Sequence, residues 1–207
     1  MKNYNDEYYI VRNESREDAL YIKALERSAD RDFEFERLTL GQEPLFFENS
    51  YKEGIKHVLP SILFDAPTPI VNNQIRDRLK YFNFVDMQLY PAVYIDDEGH
   101  YHENYWCMNF GGRLDCLDRE KSIFYKSSQE DLLEDPLADD LSVKQYSLSE
   151  QILDEIPEQD RLIFKMGGDD MGYVFIHQKI ADIFKAENAT GIELFKVADF
   201  EDGMQYR

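Results

Sequence analysis

Apolar side chains fall at the same places in two stretches of the chain, 70–92 and 175–197, which align without a gap at an offset of 105 residues. Five of the 23 aligned pairs are identical: Ile75 and Ile180, Asp77 and Asp182, Lys80 and Lys185, Asn83 and Asn188, Leu89 and Leu194. Other pairs keep their chemistry, as Val71 with Ile176, Leu79 with Phe184, Met87 with Ile192 and Tyr90 with Phe195. Within each stretch the spacing is first helical, with Ile75, Leu79 and Phe82 on one stripe and Ile180, Ile183 and Phe184 on the other, and Asn72 and His177 stand where a helix cap belongs. The period then falls to two, as Met87 and Leu89 alternate with Gln88, and Ile192 and Leu194 with Glu193. Apolar runs precede both helices, at Ile62-Leu63-Phe64 and Leu162-Ile163-Phe164, so each unit reads as strand, turn, helix, strand.

The rest of the chain punctuates this scaffold. Tyr8 to Val11 is a β-branched and aromatic run expected as a strand, and 14–31 holds a helical turn around Ala19, Ile22 and Leu25. Phe33-Glu34-Phe35-Glu36 alternates as a half-buried strand would, before a turn at 41–44 and a further apolar run at Leu45-Phe46-Phe47. The prolines of Asp65-Ala66-Pro67-Thr68-Pro69 predict a loop into the first helix. Val93 to Ile95 and Tyr105 to Met108 flank Asp96-Asp97-Glu98-Gly99, the residues of a hairpin turn. Ser122 to Tyr125 and Val143 to Leu148 read as short strands, and Ser149 as the cap of a helix containing Ile152 and Ile156. The fold class expected is α+β: a mixed sheet with a duplicated helix–strand unit (70–92 and 175–197) and a central β-hairpin. One domain spans 1–207, its internal duplication covering 60–92 and 160–197, with 93–159 inserted.

Charge changes this picture most. The chain has 42 acidic residues against 23 basic ones, a formal net charge of −19. Such a chain repels phosphate backbones and anionic lipid, so nucleic acid and membrane surfaces are not expected partners, and its field attracts a basic protein. Ten of those negative charges lie in 127–160, where eleven acids face Lys144 alone. The 43% apolar content fills a real core, and no apolar run approaches the roughly 18 residues of a membrane span. Without a signal-peptide pattern at the N-terminus, and with Cys107 and Cys116 too few for a disulfide framework, a cytoplasmic protein is expected.

Chemistry is sparse. His100, His102 and Cys107 are the one set with metal-ligand character, but their spacing matches no zinc pattern and no metal is expected. No nucleophile elbow, phosphate-cradling glycine loop or His-Glu-x-x-His pair occurs. Asn109, Asp115, Asp118 and Ser122 are the clustered polar set that a small-molecule enzyme would use, and they equally suit capping turns.

The order Leu59-Pro60-Ser61-Ile62-Leu63-Phe64-Asp65, Pro69-Ile70-Val71, Tyr105-Trp106-x-x-Asn109, Leu114-Asp115-x-x-Asp118 with Lys121-Ser122, and the closing helix and strand from Val174 to Val197 resembles a family of bacterial immunity proteins. These belong to polymorphic toxin systems and were formerly catalogued as a domain of unknown function; the resemblance covers roughly residues 40 to 200. It implies a protein that binds and neutralises a cognate toxin domain, with no catalysis and no cofactor. A basic toxin would be drawn to the acidic segment, so Glu130, Asp131, Glu134, Asp135, Asp139 and Asp140 are the candidate toxin-binding residues. A small-molecule enzyme and a general acidic protein-binding adaptor remain the alternatives.

Overall fold

The computed structural model describes residues 3–16, 18–51, 57–126 and 142–204. The six candidate toxin-binding residues, 130–140, lie outside the described residues. Two sheets carry the fold. A four-stranded antiparallel sheet has the order β10 (Ile163–Lys165), β11 (Val174–His177), β1 (Tyr8–Asn13), β12 (Ile192–Lys196). A six-stranded sheet runs β2 (Ile22–Ala24), β3 (Leu45–Asn49), β6 (Met87–Ile95), β7 (Tyr101–Phe110), β5 (Thr68–Asn72), β4 (Ile62–Asp65). It is mixed, because β3 and β6 are parallel while its other neighbours are antiparallel. The hairpin β6–β7 is at its centre, as the turn residues Asp96 to Gly99 predict, with Gly99 at φ +83°.

Helices α1 (Tyr4–Glu7) and α2 (Glu26–Ala29) are single turns, whereas α3 (Asn73–Leu79), α4 (Glu150–Glu155) and α5 (Gln178–Ala186) bury apolar stripes. All three cap residues expected from the sequence act as caps. Asn72 accepts from the Ile75 amide, Ser149 from that of Ile152, and His177 Nδ1 from that of Lys179. Burial holds the His177 pKa below its ordinary value, which favours the neutral ring whose Nδ1 can accept.

At the 105-residue offset, four aligned residues pair with a strand from outside their own stretch. Val71 pairs with Trp106 and Ile176 with Tyr9; Leu89 pairs with Met108 and Leu194 with Val11. Each stretch therefore wraps its two strands around one antiparallel strand supplied from elsewhere, β7 in the first and β1 in the second. Alternation then sorts side chains into layers. Val71, Ile75, Leu79, Ile176, Ile180 and Phe184 join Ile62, Ile163, Tyr9 and Met108 in one core holding both helices and a face of each sheet. The opposite faces bury separately. Ile70, Leu63, Tyr90 and Tyr105 pack with Leu20, Ile22 and Phe33; Phe175, Phe164 and Tyr8 pack with Leu148, Leu153 and Phe200.

Three local expectations are corrected. Ile22 is in strand β2, and the helical turn of that region comes later, at α2. Phe33 to Glu36 is a turn rather than a strand: the Phe35 and Glu36 amides both bond the Asp32 carbonyl, and Phe33 is buried while Phe35 is 63% exposed. Thr68 and Pro69, expected within a loop into the helix, instead open strand β5, so the first stretch and its lead-in run strand, turn, strand, helix, strand. Pro69 is tolerated in it because the ladder to β7 spans only Ile70 to Asn72, and Pro69 faces Phe64 alone.

Leu79 and Phe184 occupy equivalent places in the shared core, both almost without solvent contact. Truncating either to alanine is expected to cost about 2–5 kcal/mol, read as a fall in the urea midpoint with unchanged m-value. Wild-type midpoints for both variants would contradict the layer arrangement.

Candidate functional site

The chemically suggestive residues of the sequence do not converge. Asn109 is wholly buried in β7, where its Oδ1 accepts from Leu38 N (3.0 Å) and Gln88 Nε2 (2.6 Å). Its Nδ2 donates to the Phe33 (2.6 Å) and Glu36 (2.7 Å) carbonyls. Asp115 forms a two-pronged ion pair with Arg119, Asp118 accepts from the amides of Glu120 and Lys121, and Ser122 exchanges hydrogen bonds with the Ser147 backbone. These four satisfy backbone or a neighbouring cation.

His100 and His102 both approach Asp96 Oδ2, at 3.1 and 2.9 Å, at the hairpin tip. The bond to His102, with the His100 amide, holds the Asp96 carboxyl well below the usual carboxylate range. Cys107 is away from them, buried in the core, where desolvation pushes its thiol up. Among the described residues no group of three or more His, Cys, Asp or Glu side chains is placed to hold a metal ion, and no helix is long and apolar enough to cross a membrane.

Two surface features were not evident from the sequence, because each is assembled from distant segments. The first is the turn at 32–38. Asn109 clamps it from the six-stranded sheet, and Lys165, nearly fully buried in β10, donates from the four-stranded sheet to the Glu34 carbonyl at 3.1 Å. The carbonyls on both sides of Phe35 are thereby fastened, and its exposed ring has the Lys165 ammonium at 5.5 Å and the Arg113 guanidinium at 5.9 Å. Arg113 also packs beside Gly172 and donates to the Asp169 carbonyl, so turn 32–38 adjoins loop 169–172.

The second is a groove of about 610 Å³ where the two edge strands of the six-stranded sheet, β2 and β4, come together. The edges share no ladder; instead the Asp65 side chain accepts from the Ala24 amide at 3.2 Å across the gap. Val11 to Asn13, Tyr21, Tyr51 and Asp170 to Met171 complete the walls. Burial, reinforced by Glu34, raises the Asp65 pKa to about 6. Tyr21 and Tyr51 meet edge to face at 6.0 Å on the rim, and Tyr51 and Met171 are exposed.

A family model described as Immunity protein family (Imm11) matches residues 6–199. No curated protein matches the chain.

Two outcomes follow from this geometry. Asn109→Ala strands the Leu38 amide and the Phe33 and Glu36 carbonyls, so a loss of about 2–4 kcal/mol is expected, with faster amide exchange across 33–38. Asp65→Asn keeps an acceptor for Ala24 and removes the buried charge. Because the folded pKa of about 6 lies above the ordinary aspartate value of 3.8, the native state binds the proton more tightly; the charge penalty is absent below about pH 4 and complete above about pH 6. The variant is therefore expected to gain about 1–2 kcal/mol at pH 8, the partial solvent contact of the carboxyl reducing the full value, and to match wild type near pH 4. Thermal melts across that range check both limits.

Proposed function

Because the chain belongs to the Imm11 immunity protein family, we propose that it binds a cognate bacterial toxin domain and neutralises it by occupancy, without catalysis. Family membership carries this reading. It is supported by the commitment of Asn109, Asp115, Asp118 and Ser122 to backbone and ion-pair partners, which leaves the polar set an enzyme would draw on engaged in holding the fold. The toxin is proposed to be basic, since a partner of opposite sign gains association rate from a field of net charge −19. A cytoplasmic location accords with Cys107 and Cys116, both buried and unbridged, the Cys116 thiol pushed up to about 12 by burial.

Within this reading, Glu130, Asp131, Glu134, Asp135, Asp139 and Asp140 steer the encounter. Like charges crowded along eleven residues repel one another, and an exposed ion pair returns at most about 1 kcal/mol, whereas a basic partner is attracted to all of them together. The test is stopped-flow association with the cognate toxin domain, using a variant with Asp131, Glu134, Asp135, Asp139 and Asp140 changed to their amides. Its on-rate is expected to fall about tenfold or more at low salt and to converge with wild type near 1 M, where the Debye length is about 3 Å. An unchanged on-rate with unchanged protection of toxin-producing cells would assign the segment to solubility alone.

A further inference from the structure

The groove at the β2–β4 junction has features that closing the sheet does not require. Asp65 lines it with one donor among the described residues, the Ala24 amide, although a carboxylate has room for about four. Asn13 also lines it, and its Nδ2 is buried with no acceptor among the described residues. The groove thus presents an under-used carboxylate whose desolvation costs free energy until a ligand supplies a partner. The cations of the same wall are engaged elsewhere: Lys23 pairs with Glu48 at 3.3 Å, and Arg12 lies 4.3 Å from the centre of the Tyr173 ring. Asp170, the second acid of the wall, accepts from Ser142 Oγ at 2.8 Å.

Size and rim narrow the occupant. A groove of about 610 Å³ falls within the ~300–1,000 Å³ of typical ligand clefts, enough for a long side chain and the turn of backbone that carries it. The exposed Tyr21, Tyr51 and Met171 extend the contact surface beyond the socket, where a small free cation would not reach, and tyrosines are enriched among the residues that anchor protein interfaces. The net charge of −19 favours a basic partner on approach.

We propose that this groove is the socket for a lysine or arginine side chain on an exposed loop of the toxin, the cation reaching Asp65. This rests on the immunity reading and specifies where the bound state is held, as distinct from where the encounter is steered. The turn at 32–38 adjoins loop 169–172 through Arg113.

The test is biolayer interferometry against an inactive variant of the cognate toxin domain. Asp65→Asn, which removes the charge, and Tyr51→Lys, which puts a cation on a residue 60% exposed, are each expected to raise the off-rate at least tenfold with little change in on-rate. Tyr81→Ala, at a residue 80% exposed and outside the groove, is expected to leave both rates unchanged. If Asp65→Asn loses its fold, Tyr51→Lys alone decides. Wild-type protein that binds while both groove variants dissociate within about twofold of it would overturn the socket and leave the immunity reading standing. Wild-type protein that neither binds nor protects would overturn both.

Discussion

The packing of α3 and α5 into one apolar layer between two sheets is the constraint from which the rest follows. Helices of 7 and 9 residues are shorter than the ~12–15 that hold together alone in water, so their stability comes from this burial rather than from propensity. Ile75, Leu79, Ile180, Ala181 and Phe184 supply it, and the inward faces of both sheets complete the layer. The sheets must then bury their outer faces independently. The segment before β3 covers one and α1, α4 and the paired strands β8 (Ile123–Phe124) and β9 (Val143–Gln145) cover the other. Here the first residues of the chain find their role: Tyr4 and Tyr8 accept hydrogen bonds from the buried guanidinium of Arg161, tying α1 and β1 to the segment after α4.

That arrangement leaves the edges of the six-stranded sheet as the place where something further must happen. An unpaired edge invites association with other chains, and here both are managed by side chains and loops rather than by a ladder. Thr190 covers the start of β4, its carbonyl accepting from the Ile62 amide and its hydroxyl from that of Ser61. Gly191, at φ +82°, follows because a Cβ there would collide with the Ile62 carbonyl. At the other end Asp65 spans the gap to Ala24, and the groove opens around it.

Much of the scaffold was legible because it is local. The stripes of Ile75 and Leu79, or Ile180 and Phe184, lie within one helix length, the caps are adjacent to what they cap, and the β6–β7 turn declares itself in four residues. The failures are long-range. Phe33 and Phe35 alternate as in a strand, but Asn109 and Lys165, 76 and 131 residues from their partners, bend that segment into a turn. Pro69 looked incompatible with a strand until the end of the β7 ladder made room for it. The groove was invisible for the same reason, since Asp65, Asn13, Tyr51 and Met171 share no sequence pattern. Charge, by contrast, was legible as a sum but not as a site: the acidic run at 130–140 lies outside the described residues.

The central claim is neutralisation by occupancy, and titration measures it most directly. With the toxin domain's activity held fixed well above the dissociation constant, increasing amounts of this protein are added and residual activity is read at several times. Occupancy predicts a linear fall to zero at a fixed molar ratio that does not move with time, and activity that returns when the complex is separated by denaturation and the toxin is refolded. Progressive loss at far below stoichiometric amounts, or a toxin left chemically altered after separation, would contradict it and make the protein an enzyme.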